Sequence, residues 1–135
     1  MYSIGVDIGG SKIAAGVVSE DLKLISKKSL PFPHTGDPKD SIATIQTLIS
    51  GLMSENNLKS DQISAIGLAV PGSIDYDRGV VIDAHNLDYH NFPLCALVGA
   101  DFPGITVYVE NDANAAALAE YYSGAFRGCS SGLLI

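Results

Sequence analysis

Two glycines follow an aspartate near the start of the chain, in the segment Asp7-Ile-Gly9-Gly10-Ser11-Lys12. Because glycine lacks a side chain, the backbone here can approach a ligand closely and turn its N–H groups toward phosphate oxygens. A carboxylate beside phosphates would repel them unless a cation lay between. Asp7 therefore indicates Mg²⁺, held through water because this ion keeps much of its hydration shell. Ser11 adds a hydroxyl donor and Lys12 a positive charge. The alternative is an ordinary Gly-Gly hairpin in which Asp7 bonds to the turn backbone.

A second polar cluster, Glu110-Asn111-Asp112, stands where a predicted strand gives way to a predicted alanine-rich helix. Ligands of open α/β sheets bind at the carboxyl ends of the strands, and Asp112 falls at such an end. A carboxylate there can accept a proton from a substrate hydroxyl during phosphoryl transfer, and the dipole of the helix keeps it ionised. The alternative is that Asn111 and Asp112 do no more than begin the helix.

A third polar region begins at Pro71-Gly72, after a run of apolar and small residues, and continues through residues 73–92. The amides and carboxylates of this region, Asn86 among them, suit the several hydroxyls of a sugar. Its histidines and aspartates also raise the possibility of a metal site, but their spacing matches no standard zinc pattern. The alternative is a solvated loop.

The charge of the chain argues against several classes of partner. The formal net charge is −7, with only eight Lys plus Arg among 135 residues. Nucleic acids and anionic membranes both require clustered cations, so we expect neither as a partner. No apolar run approaches the ~20 residues that span a bilayer, the first residues do not form a signal peptide, and the two cysteines form no C-x-x-C pair. We therefore expect a cytoplasmic protein folded as one compact unit.

Hydrophobic periodicity predicts the elements that must position these residues. Strands are predicted at 2–8, 12–19, 22–30, 63–70, 79–82 and 105–109, and helices at about 38–56, 93–102 and 112–125. Asp37 is predicted to cap the first helix, with Pro38 in its first turn. The first three strands form an antiparallel meander, and the later ones arrive through helical crossovers. This order predicts an α/β fold of the ribonuclease-H type, a mixed sheet with helices on both faces.

Taken together, these motifs resemble those of the ROK family, which contains sugar kinases and sugar-responsive repressors. The resemblance is carried by Asp7–Lys12, Gly67–Gly72, His85–Leu87 and Val109–Ala117, in this order, and it covers essentially the whole chain. It implies an actin-like ATPase fold and ATP-dependent phosphorylation of a hexose or N-acetylhexosamine, usually at the 6-hydroxyl. The resemblance implies these site residues: Asp7, Gly9, Gly10, Ser11 and Lys12 for ATP, Asp7 for Mg²⁺ through water, Asp112 as catalytic base, and Gly72, Asn86, Asn111 and Asp112 for the sugar.

The resemblance also implies that the chain is part of a two-lobe protein. Residues 1–129 match the N-terminal lobe, and residues 130–135 match the start of a second lobe. Because the family's second phosphate motif and zinc-binding segment belong to that second lobe, we expect no zinc here and no activity from this chain alone. Residues 133–135 are expected to be unpaired or to pair with a neighbouring chain. The alternative function is a non-catalytic, sugar-sensing module of the regulator type, and the resemblance also allows a homodimer.

Overall fold

The structure is a computed structural model, and it describes residues 1–112. The strands and helices have the following bounds: β1 Tyr2–Ile8, β2 Lys12–Ser19, β3 Leu24–Pro31, α1 Asp40–Glu55, β4 Ile63–Val70, β5 Ser73–Asp75, β6 Val80–Ala84, β7 Tyr89–Phe92, α2 Leu94–Gly99 and β8 Thr106–Asn111. Two short 3-10 turns lie at Ser60–Gln62 and His85–Leu87. Apart from Asp112, the helix predicted at 112–125 lies outside the described residues, as does the segment 133–135.

Among residues 1–112, five strands form the main sheet, in the order β3-β2-β1-β4-β8. The pairs β1–β2 and β2–β3 are antiparallel, whereas β1–β4 and β4–β8 are parallel. Strand β1 shows why this sheet forms, since Ile4, Val6 and Ile8 are buried on one face while Gly5 and Asp7 point to the other. The predicted mixed α/β sheet, a meander extended by parallel strands, is thus confirmed.

Helix α1 begins close to the predicted position. The Asp37 carboxylate accepts a hydrogen bond from the Lys39 N–H at 3.0 Å, so Asp37 caps this turn and the regular helix starts at Asp40. The helix buries Ile42, Ile45, Leu48, Ile49 and Leu52 in the core cluster that also contains the inner side chains of β1 and β2. The apolar stripe predicted from the sequence is therefore a core face.

Both described helices cover the same face of the main sheet. The Gln46 amide on α1 donates to the Leu97 carbonyl on α2 at 3.2 Å, and both helices belong to one hydrophobic core. The opposite face carries an apolar groove of about 480 Å³, whose lining includes Gly5, Gly16 and Tyr108. Within residues 1–112, no helix is long and apolar enough to cross a membrane.

Residues 73–92 form a second sheet, which corrects the prediction of an irregular loop with one short strand. Strands β5, β6 and β7 pair antiparallel, with Ser73 opposite Asp83 and Asp83 opposite His90. Strands β6 and β7 bury residues at their ends and expose those between, as in Tyr89 and Phe92 around His90 and Asn91. Such a pattern lacks the alternation of period two by which strands are detected.

A buried chain of hydrogen bonds joins this second sheet to helix α1. The Ser41 hydroxyl donates to the Pro38 carbonyl at 2.6 Å, and the Tyr89 hydroxyl lies 2.6 Å from the same Ser41 oxygen. Because the single hydrogen of Ser41 is already used, the Tyr89 hydroxyl must be the donor. Burial raises the pKa of Tyr89 to about 12.

Replacing Tyr89 with phenylalanine should lower the free energy of unfolding by about 1 kcal/mol at neutral pH, because one buried hydrogen bond is lost. The two proteins should converge at high pH. An unfolded tyrosine ionises near its ordinary pKa of 10.0 and the folded one near 12, so Tyr89 costs the native protein stability as pH rises from 10 to 12. Urea denaturation at pH 8 and pH 11 tests this. A stability difference that did not depend on pH would contradict it.

Candidate active site

The first two motifs meet at the carboxyl edge of the parallel strands. Asp7 on β1 pairs with Ala69 on β4, and Ala69 pairs with Glu110 on β8. Neighbouring strands lie about 4.8 Å apart, so Asp7 and Glu110 are separated by about 10 Å across the sheet. Asn111 and Asp112 follow Glu110 directly. The register therefore places the two predicted carboxylates, Asp7 and Asp112, along one edge of the sheet, where both are exposed to solvent.

The glycine turn between β1 and β2 is stabilised by one hydrogen bond within the turn and by another from the residue that follows β3. The Gly9 N–H donates to the Lys12 carbonyl at 3.0 Å, and the Phe32 N–H donates to the Ser11 carbonyl at 3.0 Å. Within residues 1–112, no acceptor bonds to the N–H of Gly10 or of Ser11. The turn thus presents free backbone donors beside the Asp7 carboxylate, which is the chemistry that phosphate oxygens and a hydrated Mg²⁺ require.

Gly72 lies between β4 and β5, and its backbone passes close to that of β6. Its φ is +121°, and a Cβ built there would lie 2.2 Å from the Asp83 carbonyl oxygen and 3.1 Å from the Ala84 Cα. The Gly72 carbonyl accepts a hydrogen bond from the Asn111 side-chain amide at 3.0 Å. Gly72 and Asn111, both of which the family resemblance assigns to the sugar, are therefore in direct contact.

Asn86 lies beside the glycine turn, in the 3-10 turn that follows β6. A Cβ built on Gly10 would be 3.6 Å from the Asn86 Cβ. Since Ala84 packs against Gly72, the short segment 84–86 runs from Gly72 to Gly10. All the sequence-predicted site residues thus border one edge of the molecule, with Asn86 nearest the predicted phosphate end.

His90 pairs with carboxylates. Its Nδ1 lies 2.7 Å from Asp83 and its Nε2 lies 3.2 Å from Asp88, so each ring nitrogen faces an acidic side chain. Within residues 1–112, no three His, Cys, Asp or Glu side chains are grouped so that they could hold a metal ion. Asp7 as a single carboxylate fits a cation held through water rather than a cage of protein ligands.

Sequence reasoning missed His34. Its Nε2 lies 2.5 Å from the Gly10 carbonyl oxygen, and the two residues are 24 positions apart. Because Lys12 pairs with Pro31, the chain that leaves β3 passes close to the glycine turn. The predicted antiparallel pairing of β2 and β3 could therefore have indicated that residues after Pro31 lie near this turn. The contact itself depends on the path of the loop from Phe32 to Pro38, which no periodic pattern predicts.

Proteins of known function resemble this chain in sequence. It is 40% identical over 126 residues to a glucokinase of Streptomyces coelicolor, a match that covers 93% of this chain and 37% of the relative. It is 31% identical over 124 residues to an N-acetylmannosamine kinase of Citrobacter koseri, covering 91% of this chain and 40% of the relative. The chain thus spans about two fifths of the length of these curated relatives.

The fold is also shared with a solved structure, that of a ROK family glucokinase from Streptomyces griseus in complex with glucose and AMPPNP. The TM-score is 0.82 at 38% identity, and the match covers 95% of this chain and 38% of the other. The described part of the chain therefore has the actin-like fold of these kinases. The model of the ROK family itself matches residues 3–135. From its sequence, its strand order and these similarities, the chain belongs to the ROK family.

Proposed function

We propose that this chain is the N-terminal lobe of an ATP-dependent sugar kinase, with residues 1–129 forming the lobe and residues 130–135 beginning a second one. Its substrate would be a hexose or an N-acetylhexosamine, phosphorylated at the 6-hydroxyl. The observation that carries this proposal is the shared edge on which the glycine turn, with its free N–H groups, lies near Asn111 and Asp112. The glucokinase and N-acetylmannosamine kinase relatives support this substrate class.

The glycine turn is the nucleotide end of the proposed site. The N–H groups of Gly10 and Ser11 donate to phosphate oxygens, Lys12 adds a positive charge, and Asp7 orients the water shell of Mg²⁺. The absence of side chains at Gly9 and Gly10 allows this close approach. When bound, MgATP supplies the phosphoryl group that is transferred. The lobe itself contributes mainly positioning and electrostatic stabilisation, as in other phosphoryl transfers.

Asn111 and Gly72 form the sugar end, and Asn86, which lies beside Gly10, would contact the sugar from the side of the phosphates. The Asn111 side-chain N–H is held by its bond to the Gly72 carbonyl, and a planar amide at this position suits the hydroxyls of a sugar. Asp112 follows Asn111 and accepts the proton of the attacking hydroxyl as general base. Since Asp7 and Glu110 are about 10 Å apart, a phosphoryl group and a sugar hydroxyl have room between the two ends. A second lobe closing over this edge would exclude water.

A panel of sugars tests the proposal. The complete two-lobe protein, incubated with ATP and Mg²⁺, should phosphorylate at least one of glucose, mannose, fructose, N-acetylglucosamine and N-acetylmannosamine. The 135-residue chain under the same conditions should give no product, because half of the site is absent. Product identification by NMR reports whether the phosphate is on the 6-hydroxyl. Sugar binding without phosphorylation by the complete protein would favour the regulator-type alternative, and measurable turnover by the 135-residue chain would refute the two-lobe requirement.

A further inference from the structure

We propose that His34 is a positioning residue for the phosphate-binding turn, acting through the Gly10 carbonyl. This inference rests on the proposed function, in which that turn holds the phosphates of ATP. A carbonyl oxygen can only accept a hydrogen bond, so the Nε2 atom that lies 2.5 Å from it must carry a hydrogen. His34 therefore donates to Gly10, in either its neutral Nε2–H form or its charged form.

The bond from His34 to the Gly10 carbonyl also fixes the direction of the Ser11 N–H. The Gly10 carbonyl and the Ser11 N–H belong to one planar peptide unit and point in opposite directions. Next along the chain, the Ser11 carbonyl accepts from the Phe32 N–H at 3.0 Å. Two consecutive carbonyls of the turn are thus held from the 32–34 side. The N–H of Ser11 must then face away from that side.

His34 is itself held in place by aromatic packing. Its ring centroid lies 4.9 Å from that of Phe32, whose side chain is buried and lies 6.5 Å from Tyr89. A donor anchored in this way is pre-organised, so the turn does not have to be ordered when a ligand binds. Substitution can separate the contribution of the aromatic ring from that of the hydrogen-bond donor. Phenylalanine at position 34 retains an aromatic ring without the donor, and glutamine retains an N–H donor without the ring.

Titration of the complete two-lobe protein with MgATP, followed by ¹H–¹⁵N NMR, tests the proposal. In the wild-type protein the Ser11 and Gly10 amide signals should move on addition of MgATP. His34→Phe keeps the ring against Phe32 but removes the donor, and it should weaken MgATP binding by about fivefold to tenfold, the worth of one hydrogen bond. His34→Gln places an N–H near the former Nε2 and should bind MgATP within about threefold of wild type.

Three controls separate positioning from folding. Glucose binding and the thermal midpoint should be similar in both variants, and the wild-type imidazole spectrum should show the Nε2-bound hydrogen. Equal weakening in both variants, or none in His34→Phe, would overturn the positioning role while leaving the proposed function intact. A complete two-lobe protein whose turn amides do not respond to MgATP would instead overturn the nucleotide site and the role of His34 with it.

Discussion

Asp112→Asn should reduce the rate of sugar phosphorylation by the complete protein about 1,000-fold, since general-base catalysis contributes roughly 10²–10⁴. Asparagine has nearly the same shape as aspartate but cannot take the proton of the attacking hydroxyl. Asp112 is exposed and stands directly after Asn111, at the carboxyl edge of the parallel strands. The loss should appear in kcat, with the KM for MgATP little changed, because the proposed nucleotide contacts lie two strands away.

Asp61→Asn is the matched control, because Asp61 is an exposed carboxylate in the 3-10 turn before β4 and belongs to no proposed site. It should leave kcat within about twofold of wild type, as surface substitutions usually do little. If Asp112→Asn kept full activity, the general base would have to be sought elsewhere. Equal losses in both variants would point to a global effect of lost charge.

Gly72→Ala should lower the free energy of unfolding by about 3 kcal/mol, combining the cost of a left-handed backbone with that of forced overpacking. The φ of +121° is one that L side chains rarely adopt. A Cβ would stand 2.2 Å from the Asp83 carbonyl, so β6 would have to move. Glucose binding should weaken as well, since the Gly72 carbonyl holds the Asn111 amide. Urea denaturation and glucose titration of the chain measure the two effects.

Gly104→Ala isolates the backbone contribution to that loss. Gly104 has a φ of +87°, yet a Cβ there would meet no atom within 4 Å. Its substitution should therefore cost only about 1–2 kcal/mol, the conformational penalty alone. If the two variants were equally destabilised, the contact between Gly72 and β6 would carry no energetic weight. In that case the φ angle would be the whole explanation.

Long elements with a clear period could be predicted from the sequence. Strand β1 alternates between the core and the open face, and the stripe along α1 repeats at helical spacing, so both were placed within a few residues. The second sheet could not be predicted in this way. Strand β5 has three residues, and β6 and β7 bury their ends rather than alternate positions, because they contact the core only at those ends.

Some contacts of the candidate site could be predicted from the sequence and others could not. The segments Asp7–Lys12 and Glu110–Asp112 carry strong local signals, and the parallel register explains why they share an edge. The resemblance assigned Gly72 and Asn111 to the sugar, but the hydrogen bond between them was not predicted. Asn86 beside Gly10 and His34 on the Gly10 carbonyl depend on irregular turns. The residues that Asn86 and His34 contact depend on the paths of the loops, and the sequence of a loop does not predict its path.

The buried bonds among Pro38, Ser41 and Tyr89 impose a constraint on how this chain can change over evolution. Ser41 both donates and accepts, and its side chain is fully enclosed. Loss of the Ser41 hydroxyl alone would leave the Tyr89 hydroxyl buried without this partner, a state that costs more than replacing both groups with apolar ones. Positions 41 and 89 should therefore vary as a pair among relatives. We expect relatives either to keep both hydroxyls, and with them the hydrogen bond between α1 and the second sheet, or to replace both with apolar side chains.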